Sequence, residues 1–498
     1  MKPYINVLLL LFISINIFAQ GESFGSSSSN YSGVNSVLLN PSAMHSQKTW
    51  LSINFSSGDL FLHTDFIYLD KDEFRLTDLL DPNFEFVEHP TGYGTEQRAF
   101  YSFDSDKNTS LNQSLRILGP SIMLSYNQHA IAITSGMRVQ TNIRNLSPDL
   151  ANILAYGFSY FPQHKQVFQV DDFNSTSMAW GEIGVSYAYR LNKESFDGWS
   201  FGFSLKRLLG VGGAYLDVNQ STYSLIDSKT IDVANQQAEI GFSLPIDFDT
   251  NDYLSNSLTT GKGWAMDIGF TYQVLLKRQP KLNAQWFCEQ PVIDYKYRIG
   301  VALLDVGSIS FKENAQTHSF INSAQVEGDM RGVDLENVNQ IIGLISEQFY
   351  GSSSASIVEN SMRIALPMTL SVQADYNTQI ANFYWNASLI YGIPLKGGAL
   401  RRPNQFIIAP RYETKFLEFS APISFYQFKY PHLGIYARVG SFAIGSDWFT
   451  SFLGNKDFHG MDIYFSLKFQ LTKDNCRSKK SIRDACGEKS GRFSWAYD

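Results

Sequence analysis

The chain is poor in cysteine, in charge and in long apolar runs. Three cysteines, Cys288, Cys476 and Cys486, occur in 498 residues, too few for a disulfide scaffold. No C-x-x-C occurs and no histidine lies near a cysteine, so the sequence offers no zinc site. Charged residues make up 17%, below the roughly 25% of ordinary soluble proteins. The net charge of -7 is mild and gives no reason to expect nucleic acid. Beyond the first 20 residues, no apolar stretch approaches the roughly 20 residues of a membrane helix. The phosphate-binding, nucleophile-elbow and zinc-protease signatures are all missing. The eight histidines are scattered, and the nearest thing to an acid–histidine site is Asp457 beside His459. The D-F-D-T-N-D run at 247–252 has no glycine at its sixth position and Leu258 at its twelfth, so it fails as a calcium loop. The expectation is a protein that is not an enzyme and carries no cofactor and no metal.

What the chain has is aromatic residues, 38 Phe and 26 Tyr, arranged in alternating runs. In Met461–Thr472, Ile463, Phe465, Leu467, Phe469 and Leu471 share one face. Asp462, Ser466, Lys468 and Gln470 share the other. Successive side chains of a strand point to opposite sides, so such a run has one apolar and one polar face. Trp264 to Tyr272, Trp199 to Leu205, Tyr295 to Leu303 and Phe383 to Ile393 repeat the pattern. Their polar faces hold small residues together with Asp267, Arg298 and Lys206. An apolar face for lipid and a polar face for a lumen describe a membrane barrel. The alternative, a soluble two-sheet sandwich, would have to pack the aromatic faces against each other.

The first 19 residues read as a secretory signal peptide, with Lys2, an apolar stretch from Val7 to Ile13 and Ala19 before the cut. Residues 20–48 precede the first strand. Seventeen strand-like runs follow between residues 49 and 472. Soft edges reduce them to an even 14–16 strands, about 14, in an antiparallel all-β transmembrane barrel. Links at Asn377–Gln379 and Glu413–Lys415 read as short periplasmic turns. The Asp70–Arg116 and Lys312–Met362 insertions read as long extracellular loops. Within the latter, Leu335, Val338, Ile342, Ile345 and Phe349 have helical spacing behind an Asp334 cap, as a lid over the barrel mouth or as a ligand or partner surface. Ser147 caps a second short helix with Pro148 in its first turn. Residues 473–498 form a basic periplasmic tail, with seven Lys/Arg against four Asp/Glu. Cys476 and Cys486 could close a small disulfide loop there, leaving Cys288 over, or remain free thiols.

Asn30–Asn35 (N-Y-S-G-V-N) and Leu39-Asn40-Pro41-Ser42, placed between an export signal and the first strand, resemble the N-terminal signature of FadL/PorV-like outer-membrane barrels. The stretches L-L-D-V-G-S-I-S-F (303–311), I-G-S-D-W-F-T-S-F-L-G (444–454) and D-I-Y-F-S-L-K-F (462–469) are similar to recurring pieces of an uncharacterised Bacteroidota group within them, known as a domain of unknown function. The resemblance implies a Gram-negative outer-membrane barrel whose N-terminal segment folds inward as a plug. Asn40, Pro41 and Ser42 would be hatch residues, Ser42 standing where the family has Ala. It implies passive transport or binding of a hydrophobic small molecule, with an adaptor role in type IX-like secretion or envelope assembly as the alternative. Partners would be outer-membrane lipid, the small molecule, and envelope or secretion proteins. No ligand-binding residue can be carried over.

Overall fold

The computed structural model describes residues 24–473, apart from 91, 93–96, 158–159, 192–194, 229, 249–257, 281, 328–337, 396 and 455. The leader, the calcium-like run beyond Phe248 and the Asp334 cap therefore lie outside the described residues, as do Cys476 and Cys486.

Fourteen antiparallel staves close into a barrel. They are β1 (Thr49–Thr64), β2 (Thr109–Leu118 and Ser121–Tyr126), β3 (His129–Leu146), β4 (Val167–Arg190) and β5 (Asp197–Leu225). Next come β6 (Thr230–Ser243 and Gly261–Leu275), β7 (Tyr295–Phe311 and Ala315–Glu327) and β8 (Ile357–Glu359, Met362–Ala365 and Thr369–Asn377). The ring finishes with β9 (Phe383–Gly392), β10 (Gln405–Glu413), β11 (Leu417–Ser420 and Ile423–Tyr426), β12 (Tyr430–Leu433 and Ile435–Val439), β13 (Phe442–Ser446) and β14 (Gly460–Thr472). Each stave pairs with its sequence neighbour, and β1 meets β14 from Thr49↔Thr472 to His63↔Gly460. Closure removes both sheet edges.

The seventeen runs become fourteen staves because three pairs merge. Residues 56–59 join two runs into β1, where a bulge between Asn54 and Ser56 breaks the alternation. The Leu209–Gly213 stretch joins two more into β5, with a bulge at Gly210/Gly212. In β6 the chain leaves the wall after Ser243 and resumes it at Gly261. Both long insertions are shorter than expected. Thr109 to Arg116 belongs to β2, and Ala315 to Glu327 extends β7.

The two faces separate as the alternation requires. Phe201, Phe203, Leu205, Trp264, Ile268, Ile299, Phe425 and Phe465 are exposed. Their neighbours Ser204, Asp267, Arg298, Ser424, Ser466 and Lys468 are buried. The apolar faces therefore form an outer belt suited to acyl chains, and the polar faces turn inward. One local reading is overturned. A register shift between Val274 and Leu275 opposite Tyr297/Tyr295 buries Tyr295 and exposes Lys296, reversing the expected faces at that end of β7.

The staves differ in height. β4 and β5 run for 24 and 29 residues, well past the roughly 9–11 needed to cross a bilayer, whereas β13 has five. Beyond the tall side, α1 (Pro148–Tyr156) and α2 (Val338–Tyr350) cap the end away from the termini. Ser147 caps α1, its hydroxyl accepting from the Leu150 amide at 3.3 Å. Ile342, Ile345, Phe349 and Tyr350 of α2 pack against a buried cluster containing Phe320, Val218 and Phe173, which covers the apolar side of the helix. Among the described residues, no helix is long and apolar enough to cross a membrane.

Candidate functional site

The lumen is the candidate site, and the chain itself fills it. Residues 24–47 fold inside the terminal half of the barrel, where Phe24, Val34, Asn35, Asn40, Pro41, Ser42 and Met44 are all buried. Small residues make this possible, because a segment rich in Ser, Gly and Asn offers many short hydrogen-bonding groups and little bulk. The Asn40 side chain accepts from the Ser42 amide at 3.0 Å and caps the short helix Pro41–Ser46, with Pro41 at its first position. Asn40 Nδ2 then donates to Phe270 O at 3.2 Å and to Gln373 Oε1 at 3.1 Å. The Ser42 hydroxyl lies 2.7 Å from that of Thr271. All three sequence-selected residues thus abut the wall of β5 to β8.

The wall is hollowed to receive them. A Cβ on Gly202 would stand 2.2 Å from Ser42 N, and one on Gly269 would stand 2.1 Å from Asn40 Oδ1. One on Gly300 would stand 2.8 Å from Asn40 Nδ2. Gly202 pairs directly with Gly269 across β5 and β6. These glycines read from the sequence only as small members of polar faces. Their common purpose is close approach of the wall to the segment.

Buried ion pairs hold the segment at the terminal end. Lys48 Nζ lies 2.9 Å from Asp294 and 3.4 Å from Glu413. Arg411 Nε is 3.0 Å from Glu413, and Arg298 is 2.8 Å from Asp375. Asn30 Nδ2 donates to Glu413 at 2.6 Å and to the Tyr295 hydroxyl at 3.1 Å. Ser29 donates to Glu418 at 2.8 Å, and Arg411 donates to Ser28 O at 2.9 Å. Apart from the partly exposed Asp294, these charges are desolvated and so depend on their partners. Burial alone would lower the Lys48 pKa, but the Glu413 and Asp294 carboxylates outweigh it and hold that ammonium above its ordinary range. Burial pushes the Tyr31 phenol up to about 12. Burial, and then the nearby Lys473 charge, keeps His45 well below its ordinary value. Lys473, just past β14, is lowered to about 7 by burial and by Arg190.

A second ionic layer lies further in. Asp305 accepts from Arg138 at 3.0 Å and from Lys206 at 2.9 Å, and Lys206 also reaches Asp267 at 2.8 Å. Asp305 has a left-handed φ of 56° where β7 carries an extra residue opposite β6. This bulge turns the carboxylate inward. Residues 397–404 also bend into the barrel. Gly398 donates to Asp217 at 2.6 Å, and the Arg401 amide donates to Asn142 at 2.9 Å. Above this layer the inner face becomes apolar, with Met178, Trp180, Leu208, Ile309, Phe311, Ile364, Leu366 and Leu400 in one buried cluster.

Two small cavities occur. One of about 30 Å³ lies between the segment and the wall, lined by Ser28, Asn40, Thr271, Arg298, Gln373 and Asp375 among others. Arg298 Nη1, which is buried without a protein partner, belongs to this lining, and the space suits about two waters. The other, about 10 Å³, is lined by Tyr426, His432, Asp447, Trp448 and Asp462 among others. Three histidines that look scattered in the sequence converge beside it. His63 lies 6.2 Å from His432 and 6.1 Å from His459, ring centre to ring centre. His459 contacts the Asp457 backbone carbonyl at 3.1 Å rather than its carboxylate. No group able to hold a metal occurs among the described residues.

Cys288 differs from expectation, because it is disulfide-bonded. The Cys476–Cys486 pairing lies outside the described residues.

Fold and lumen together define an all-β barrel with an apolar outer belt and a self-filled polar interior. The chain belongs to a family of unknown function (DUF5723), whose model matches residues 41–447. No curated protein matches it. Among solved structures it is similar to the Pseudomonas putida toluene transporter TodX, with 10% identity over 89% of this chain and 95% of that one, at a TM-score of 0.38. It is also similar to a Pseudomonas aeruginosa FadL homologue, with 7% identity over 92% and 99% of the two chains, at a TM-score of 0.23. The translocator domain of the Neisseria meningitidis autotransporter NalP matches with 9% identity over 90% and 100%, at a TM-score of 0.30.

Proposed function

We propose that this protein is an outer-membrane barrel, exported by its leader, that admits a hydrophobic small molecule at the end away from its termini. Its N-terminal segment, assigned to residues 20–48, acts as a plug that closes it below, a reading supported by the burial of residues 24–47 inside the barrel. One observation carries the reading. The inner face of the tall staves changes from polar to apolar, with Phe311, Ile309, Trp180 and Leu208 buried on it. A water-filled pore would keep that face polar. The apolar cluster under α1 and α2 adjoins the same side, so an apolar molecule entering there would meet apolar side chains down to the Asp305 layer. Passage further requires the plug to move, because a space of about 30 Å³ holds water and not an organic molecule.

Trp180 provides the test. It is fully buried in the apolar cluster, so saturable quenching of its fluorescence by brominated alkanes or brominated aromatics is expected. Absence of any Trp180-dependent quenching, together with unchanged uptake by a deletion strain, would overturn the reading. The tightly ion-paired terminal half supports a second reading, a barrel that never opens and serves as an adaptor for secretion or envelope proteins. Recovery of one stoichiometric envelope partner after cross-linking in native membranes would favour it.

A further inference from the structure

The outer face of the wall changes character along β5 to β8. At the terminal end Trp199, Tyr272 and Tyr297 adjoin one another, with ring centres 4.4 Å and 6.5 Å apart. Above them Phe203, Leu205, Met266 and Ile268 are exposed hydrocarbon. That belt ends at Trp264, which is exposed as well and carries the Arg207 guanidinium 5.0 Å from its ring centre. Lys262 comes next on the same face. It stands opposite Ser310, and Ser310 stands opposite Arg363, so the three side chains share one rung across β6, β7 and β8. Lys262, Arg363 and nearby Lys312 are exposed. Among the described residues, no ion pair engages any of these three cations. The exposed acids nearest in sequence, Glu313 and Glu359, stand beyond the row on the side away from the belt.

The spacing along β6 sets the depth of that row. From Tyr272 to Lys262 the stave advances ten residues, about 33 Å along its length and about 25 Å across the membrane at a tilt of about 40°. An apolar band about 25 Å tall between aromatic girdles is what a bilayer requires, so the row lies at headgroup level on the side away from the termini. We propose that Lys262, Ser310 and Arg363 form a site for the phosphate of a lipid in the outer leaflet, whose acyl chains lie on the belt below Trp264. The two cations flank the hydroxyl, their backbones about 10 Å apart across two strand spacings, and both side chains are long enough to converge on one phosphate. Arginine supplies paired N–H donors and lysine a compact charge, both suited to phosphate oxygens. The unbroken apolar belt beneath them favours a lipid over a free anion. The proposal rests on the outer-membrane reading but on neither cargo nor plug, so it can fail while the transport reading stands.

The test counts lipid retained by the purified barrel in detergent, read by native mass spectrometry, with phosphatidic acid, diacylglycerol and inorganic phosphate as probes. The parent is expected to retain phosphatidic acid and to lose diacylglycerol, which has the same chains without the phosphate. Lys262→Gln combined with Arg363→Gln is expected to weaken retention of phosphatidic acid by about tenfold, with the heat-shifted band of the folded barrel unchanged. If the double variant does not fold, Lys262→Gln alone serves for the same comparison. Lys296→Gln, which removes an exposed lysine at the opposite end of β7, is expected to leave retention as it was. Equal retention by the parent and the double variant overturns the site, and an equal loss in Lys296→Gln overturns its place on this row. Retention of diacylglycerol as strong as that of phosphatidic acid, or displacement of the lipid by millimolar inorganic phosphate alone, overturns the lipid phosphate as occupant.

Discussion

The two halves of the lumen are filled by opposite means inside one wall. The terminal half is packed with polar segment and ion pairs, centred on Arg411, Glu413, Asp375 and Arg298. The far half is packed with hydrocarbon, centred on Phe311, Ile309 and Trp180. The outer belt is similar for both, because lipid demands the same surface at every stave. The inner face answers instead to its own filling. A polar filling leaves a segment that can be released by exchanging its bonds for bonds to water, whereas an apolar filling resists water but yields to an apolar ligand. On the proposed reading the lower half is a removable stopper, and the upper half a place to receive an apolar molecule.

Breaking each half should cost similar amounts by different routes. Arg411→Ala strips Glu413 and Asp375 of a shared buried partner and should destabilise the folded barrel by about 3–5 kcal/mol, read as a lower urea midpoint in detergent. Adding Glu413→Gln should return part of that loss. Phe311→Ala removes a fully buried ring and should cost about 3–5 kcal/mol. Unlike the arginine variant, it should gain affinity for small apolar molecules that fill the space.

The glycine hollow lets the N-terminal segment seat closely against the wall. Gly269→Val inserts atoms where Asn40 now sits and should cost about 1–3 kcal/mol, with the barrel still closed. The expected signature is labelling of a Ser42→Cys thiol in Gly269→Val under conditions where the same thiol in the parent wall stays protected.

Acid should loosen the terminal half. The folded pKa values of His45 and Lys473 both lie below their ordinary values, so the unfolded chain binds more protons and stability rises with pH. For His45 this applies as pH climbs toward its ordinary 6.5, and for Lys473 between about 7 and its ordinary 10.5. Lys473→Met should flatten the upper part of that slope in pH-dependent unfolding. The smallest effect concerns covalent chemistry. Alkylation of the denatured, unreduced protein should count one free thiol, in accord with the Cys288 bond, and Cys288→Ser should raise the count to two.

Much of the wall was legible because alternation has a fixed period of two and lipid enforces it. Phe201, Phe203, Trp264 and Ile268 face outward as their spacing requires. The period failed at bulges, where one extra residue swaps the faces. Hence β1 and β5 each looked like two strands, and Tyr295 was assigned to the wrong side. The lumen was legible only as a set of polar faces. Asp305 and Arg138 lie 167 positions apart, and Arg411 and Ser28 lie 383 apart. No local pattern couples such positions. The histidines looked scattered for the same reason, since His63, His432 and His459 belong to different staves or loops that meet only on closure.

By itself the sequence determined that the chain makes strands with one oily and one polar side, and roughly how many. That follows from short-range geometry, because each residue's face depends only on its neighbours along the strand. Tertiary structure alone decided what occupies the interior. Closing the ring brought distant charges within 3 Å of each other, aligned three glycines beneath Asn40 and Ser42, and placed Phe24 beside Asp447. Those contacts depend on stave register and on closure, which no stretch of the sequence read alone contains.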